Sequence, residues 1–232
     1  LLDVISKAAN MAVVSIEYRL APENSFPAGE EDVFDVAEYL VDNAPNLYGG
    51  PLKFIGGESA GATLSISTIL HLLGTRPDFG FAGAALMYGL YDWSLSPSVR
   101  TFTAPLIMTT EHVEHYGEAY LGKRSPQERR NPAISPIYHP IFKYPGSTLE
   151  TGTISGSAKL PPALFLSGTK DATLDDTVLM SFRYQVAGGE ARVKFVEGAP
   201  HAFLLFPADR FEMVARGRAI LTEFLKEMMH EQ

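Results

Sequence analysis

There is no cysteine in the 232 residues, which excludes disulfides, a thiol nucleophile and Cys-ligated metal. That usage is compatible with a reducing compartment, and a cytoplasmic protein is the expectation. Positive charge is scarce as well: 19 Lys and Arg stand against 27 Asp and Glu, for a net charge of −8. Nucleic acids and anionic membrane surfaces call for basic patches, so neither is expected as a partner. No apolar run reaches the ~18 residues of a membrane-spanning helix, so no stable membrane insertion is expected. Leu1 to Ala9 is interrupted by Asp3 and Lys7, and its apolar residues fall at helical rather than signal-peptide spacing. Phosphate-cradling glycine motifs are missing too, which leaves nucleotide cofactors without support. Glu111-His112-Val113-Glu114-His115 comes nearest to a metal motif. Its histidines are three apart, whereas a helix-borne zinc pair of this type needs four with Glu directly after the first. A solvated helix face is the reading, with no metal and no cofactor.

What remains is the composition of an ordinary globular domain, 46% hydrophobic and 20% charged. The pattern is one α/β domain over residues 1–232. Leu1 to Asn10 reads as a helix, Ala12 to Tyr18 as a strand, and Glu30 to Asn43 as an amphipathic helix with Val33, Val36, Ala37, Leu40 and Val41 inward. A strand over Leu52 to Gly56 and a helix to Leu73 follow, then strands at Gly83 to Tyr88, Ala163 to Ser167 and Val193 to Val196. Further helices fall at about Leu174 to Ala187 and Phe211 to Met229. Unbroken apolar strands such as Ala163-Leu164-Phe165-Leu166 suggest a mostly parallel sheet with helices on both faces.

Between the second strand and helix stands Gly57-Glu58-Ser59-Ala60-Gly61. This is the setting of a nucleophile elbow: flanking glycines allow a sharp turn that holds a serine hydroxyl up at the end of the sheet. The competing reading of Ser59 is a plain helix N-cap. A serine nucleophile also needs a histidine base and a carboxylate to orient it, following in that fold in the order serine, acid, histidine. Of six histidines, His201 alone has the expected setting, in the Gly- and Pro-flanked loop after Val193 to Val196. Asp171 closes Gly168-Thr169-Lys170-Asp171 at the end of another strand. Asp171 could equally be a turn or cap residue, with Asp175 and Asp176 as rival carboxylates.

Together with Tyr18-Arg19-Leu20-Ala21-Pro22-Glu23, Phe26-Pro27-Ala28 and Asp32, and with Pro200-His201-Ala202-Phe203, these stretches resemble the hormone-sensitive-lipase-like branch of the α/β-hydrolases, over almost the whole chain. The resemblance implies an α/β-hydrolase fold with a helical cap insertion. It implies a serine carboxylesterase acting on a small or medium uncharged ester, with Ser59 as nucleophile, His201 as base, Asp171 as acid and the Ala60 amide at the oxyanion. Alternatives are an amidase or deacetylase on the same triad, or a non-catalytic ligand-binding relative. The partner expected is a small-molecule ester, and a homodimer is an allowed assembly. The family carries a His-Gly-Gly-Gly oxyanion loop upstream of the Tyr-Arg-Leu-Ala-Pro-Glu stretch, whereas here no glycine precedes Gly29. The expectation is that this sequence is the C-terminal part of a longer protein.

Residues 91–160 break the strand-helix rhythm with seven prolines, at 97, 105, 126, 132, 136, 140 and 145, an excursion too long for a simple crossover. The resemblance makes this stretch part of a cap over the active site, with Thr110 to Leu121 as one helix. Glu58, Trp93 and Tyr116 are the candidate substrate-binding residues, and Phe102, Met108 and Tyr138 are further candidates to line an acyl or aromatic pocket. Each aromatic also reads as ordinary cap core.

Overall fold

The computed structural model describes residues 1–104, 106–142 and 159–230. Pro105, Pro145 and the 143–158 part of the excursion lie outside the described residues. In chain order the helices are α1 (Leu2–Ala9), α2 (Ala28–Tyr48), α3 (Ala60–Thr75), α4 (Pro97–Thr101), α5 (Thr110–Leu121), α6 (Pro126–Arg129), α7 (Leu174–Val186) and α8 (Glu212–His230). The strands β1 (Phe54–Glu58), β2 (Gly83–Met87), β3 (Ala163–Lys170) and β4 (Ala191–Pro200) form one sheet in the order β1-β2-β3-β4, and every neighbouring pair is parallel.

Alternation along the two central strands divides the core. Ala84, Leu86, Ala163 and Phe165 face a cluster with Ile66 and Ile69 of α3 and Met180 and Tyr184 of α7. Their neighbours Ala85, Met87, Leu164 and Leu166 face the other side, against Ala9 of α1 and Leu221, Phe224 and Leu225 of α8. Because side chains alternate across a strand, a run apolar at every position requires cover on both faces, and it has it. A third cluster stands apart: Trp93, Val99, Met108, Val113, Leu121 and Ile134 of the 91–160 excursion make a separate small core with Leu90, the residue before it. Among the described residues no helix is long and apolar enough to cross a membrane.

Two expectations are corrected. Ala12 to Tyr18 forms no strand. A strand exists only through a bonded neighbour, and Met11 to Ser15 instead face Leu52 to Glu58 across a groove of about 530 Å³, leaving β1 as the sheet edge. Helix α2 also runs beyond Asn43, through Pro45 to Tyr48, and closes where left-handed Gly49 (φ 75°) donates to the Pro45 carbonyl. Proline breaks helices mainly by removing a donor and crowding the preceding turn. So close to the end, only the last turn is exposed to that effect. The buried side of α2 carries Val33, Ala37, Leu40 and Ala44, while Val41 packs at its margin.

Arg19 explains the charged part of the segment before α2. Its side chain and backbone amide both donate to the Asp32 carboxylate, at 2.8–3.0 Å, and these bonds hold Asp32 below the usual carboxylate range. Nearby, buried Glu30 accepts a hydrogen bond from Tyr120 of α5, joining the start of α2 to the excursion. Burial pushes the Glu30 carboxyl up to about 7, with the Glu31 charge adding to the effect.

Backbone approach is closest at two glycines. A Cβ on Gly57 would lie 2.3 Å from the Gly61 carbonyl carbon, and one on Gly168 would lie 2.0 Å from the Ala199 oxygen. At Gly61 an added Cβ meets nothing within 4 Å. The two ends of the pentapeptide are therefore not equivalent: Gly57 is required by contact, Gly61 is not.

Gly57→Ala and Gly168→Ala should each destabilise the fold by about 1–3 kcal/mol or more, lowering the melting temperature by several degrees. Gly61→Ala should leave it unchanged or slightly raised, since alanine favours the helix. Thermal unfolding of the three variants checks this, and equal losses at Gly57 and Gly61 would contradict the steric account.

A carboxyl whose folded pKa is raised binds its proton more tightly when folded, so its stabilising contribution is complete below the unfolded pKa and is lost as pH rises through the folded one. For Glu30 that window runs from about 4.5 to about 7. Melting temperature should fall between pH 5 and 8, and Glu30→Gln, which keeps an acceptor for Tyr120, should flatten that slope by at most about 3 kcal/mol at ~1.4 kcal/mol per pKa unit. An unchanged slope in Glu30→Gln would count against it.

Candidate active site

Ser59 occupies the turn between β1 and α3 at φ 53° and ψ −116°. Positive φ is uncommon outside glycine and costs on the order of 1–3 kcal/mol when imposed by its surroundings. Two anchors impose it: the Ser59 amide donates to the Met87 carbonyl at 2.9 Å, and its carbonyl accepts from Ala62 of α3 at 3.0 Å. The side chain makes no helix-capping hydrogen bond, so the N-cap reading is set aside. Instead the Ser59 hydroxyl lies 2.9 Å from His201 Nε2. Ala60 is the first residue of α3, where backbone amides have no intrahelical acceptor.

His201 follows β4 directly and is buried. Its loop rests on α8: Arg218 donates to the Leu204 and Phe206 carbonyls at 2.9 and 3.0 Å, and Gly217 leaves room for the Phe203 ring. On the far side of the imidazole, Nδ1 lies 3.0 Å from each Asp171 carboxylate oxygen. Asp171 is itself fixed by the Thr173 amide at 2.8 Å and the Thr173 hydroxyl at 3.0 Å. A carboxylate on Nδ1 holds the proton there and leaves Nε2 as an acceptor facing a hydroxyl.

The rival carboxylates are engaged elsewhere. Asp176, fully buried, accepts from the Tyr91 and Asp92 amides at 2.7 and 2.8 Å and from the Ser96 hydroxyl at 2.6 Å. Burial pushes its carboxyl up to about 7 against the pull of those donors. Asp175 accepts from the Ser98 amide at 2.8 Å. Both acids tie α7 to the beginning of the excursion.

Of the candidate substrate-binding residues, Glu58 is half-buried and accepts a hydrogen bond from the Tyr88 hydroxyl. Trp93 is buried in the excursion's own core, its ring centroid 5.2 Å from that of Tyr120. Tyr116 is 56% exposed on the outer face of α5, stacked on His112. Met108 is buried in that same core, and Tyr138 donates to Asp92 at 2.8 Å. His112 accepts from the Thr109 amide in the capping box of α5. Sequence reasoning passed over Tyr88, the buried residue directly after β2, whose ring meets His201 edge-on at 5.1 Å. Its place at a strand's C-terminal end, where sites on parallel sheets gather, was the available signal.

Comparison with known proteins bears on the family and the fold. A family model described as alpha/beta hydrolase fold matches residues 1–205. An acetyl esterase of Salmonella typhi is 26% identical over 208 residues, covering 88% of this chain and 59% of that protein. An esterase structure from Pyrobaculum calidifontis superposes with a TM-score of 0.82 at 26% identity, covering 97% of this chain and 69% of that one. A hormone-sensitive lipase from a metagenome library, at 24% identity and a TM-score of 0.76 over 97% of this chain and 68% of that one, shares the fold. The chain spans about three fifths of the length of the curated relatives it matches. With the match running over residues 1–205 and a parallel sheet carrying its serine on a strand-to-helix elbow, the chain belongs to the α/β hydrolase fold family.

Proposed function

We propose that the protein is a serine carboxylesterase acting on small or medium uncharged esters through an acyl-enzyme. The observation that carries this reading is the relay from Asp171 through His201 to Ser59, with contacts of 3.0 and 2.9 Å. Ser59 Oγ attacks the ester carbonyl while His201 Nε2 takes its proton. The tetrahedral oxyanion is met by the Ala60 amide at the start of α3, where the helix dipole also favours negative charge. His201 then protonates the leaving alcohol, the carbonyl re-forms, and the acyl group stays on Ser59. A water activated by Nε2 attacks the acyl carbon, and collapse returns Ser59 and releases the acid. Asp171 holds the imidazole tautomer and stabilises the imidazolium formed in both halves. The acetyl esterase and esterase names of the relatives support the ester class, and the net charge of −8 supports uncharged over anionic substrates.

The full-length protein should hydrolyse p-nitrophenyl esters of short acyl chains at a rate unaffected by EDTA. Ser59→Ala and His201→Ala should each lower kcat by at least about 10³-fold, and Asp171→Asn by a factor on the order of 10⁴, since the three act as a unit. Asp175→Asn should stay within about tenfold of the parent, its carboxylate being spent on Ser98. Initial rates with each variant decide the matter. A large loss in Asp175→Asn beside a small one in Asp171→Asn would overturn the assignment of the acid.

A further inference from the structure

β1 and β4 are the two outer strands of the sheet. With neighbouring strands ~4.7–4.9 Å apart, three steps separate them by about 14 Å. Ser59 follows β1 and His201 follows β4, yet their side chains meet at 2.9 Å. The loop carrying His201 must therefore reach back across the strand ends, and something must fix how far it reaches.

Tyr88 stands midway. It follows β2, has no exposed surface, and is held at a left-handed φ of 41°. Its amide donates to the Leu166 carbonyl of β3 at 2.7 Å. Its carbonyl accepts from the Thr173 hydroxyl at 3.3 Å, the same hydroxyl that donates to Asp171. The phenol donates to the carboxylate of Glu58, the residue before Ser59. Its ring meets the His201 edge at 5.1 Å and Phe203 at 5.7 Å.

We propose that Tyr88 is a positioning residue for the reaction, a crossbar that ties the strand bearing Ser59, through the bond of its phenol to Glu58, to the loop bearing His201, through the packing of its ring on His201 and Phe203. This rests on the hydrolase reading above. Tyr88 packs directly on His201 and reaches Ser59 and Asp171 through Glu58 and Thr173, without joining the proton path: the phenol bonds neither Ser59 Oγ nor either imidazole nitrogen. Burial and the Glu58 charge push the phenol well above its ordinary pKa, so it remains a donor throughout the working range. Glu58 thereby acquires a task distinct from contacting substrate. Its carboxylate is the anchor at the Ser59 end.

Tyr88→Phe keeps the ring against His201 and removes the phenol bond to Glu58. Glu58→Ala removes the anchor alone, at a half-buried site, and so remains informative if the buried variant folds poorly. In the full-length protein, phosphonylation of Ser59 by a fluorophosphonate should slow by about 10–100-fold in each, the scale of effect expected from a misplaced reacting group. In that step Ser59 Oγ bonds to phosphorus, fluoride leaves, and the serine proton passes to His201. Ester kcat should fall by the same factor with KM unchanged. The double variant should be no slower than either single one, and Glu58→Gln should recover most of the rate. The imidazole ¹H and ¹⁵N signals of His201 should move in Tyr88→Phe and Glu58→Ala. Labelling at the parental rate, additive losses, a KM effect without a kcat effect, or unmoved His201 signals would each overturn the crossbar. A parent protein that is not labelled would instead overturn the hydrolase reading, and the His201 signals would still judge the crossbar.

Discussion

The 2.9 Å contact between His201 Nε2 and Ser59 Oγ joins residues 142 positions apart, and much of the fold can be understood as the means of closing it. A parallel sheet places all its strand ends at one edge, so residues far apart in sequence emerge side by side without any local signal. The helices follow from the same requirement. Each strand must return to the starting edge before the next begins, and the returns over α3 and α7 bury one of the two faces that the apolar strands expose, the other lying against α1 and α8. The geometry of the site is thus a by-product of core packing up to the last few ångströms. Those are supplied by polar contacts: Met87 to Ser59, Thr173 to Asp171, Arg218 to the loop after His201.

Strain at the site is concentrated in residues whose neighbours leave no alternative. Ser59, Tyr88 and Ala202 all have positive φ, and each adjoins the end of a strand or a residue of the relay. A flexible chain would relax such angles. Here the Ser59 amide is committed to the Met87 carbonyl and the Tyr88 amide to the Leu166 carbonyl, so relaxation would forfeit a buried backbone hydrogen bond. The close approach of Gly57 to Gly61 belongs to the same arrangement, because the elbow turns too tightly for a side chain on its inner surface.

How much of this was legible in the sequence depended on whether a residue's role is local. Ser59, Asp171 and His201 each sit directly beyond an apolar strand run, a position that pattern alone reveals. The choice among Asp171, Asp175 and Asp176 was not local, because all three lie within six residues and only spatial neighbours separate them: His201 for the first, Ser98 and the Tyr91 to Ser96 segment for the others. Tyr88 was hidden for the same reason, since its phenol bonds to Glu58, 30 positions away in the chain, and its ring packs on His201. The Ala12 to Tyr18 expectation went astray because composition reports a segment's suitability for a sheet. It says nothing of whether a neighbouring strand is there to bond with it.

Asp171 and Asp176 lie five residues apart and are both buried, yet they do different work, and their neighbours explain the difference. Asp171 faces an imidazole that can become a cation during a reaction, so its charge has a partner when it is needed. Asp176 accepts from two amides and a hydroxyl, fixed dipoles that bind a carboxylate without changing state, and the nearby Asp92 charge opposes its ionisation. Burial therefore dominates at Asp176 and raises its pKa to about 7. What its oxygens accomplish is to hold residues 91–96 on α7, at the point where the chain leaves the sheet for the excursion. One acid holds an imidazole, and the other holds the segment that departs beside it. The assignment follows from what each carboxylate can see, and their order in the chain plays no part in it.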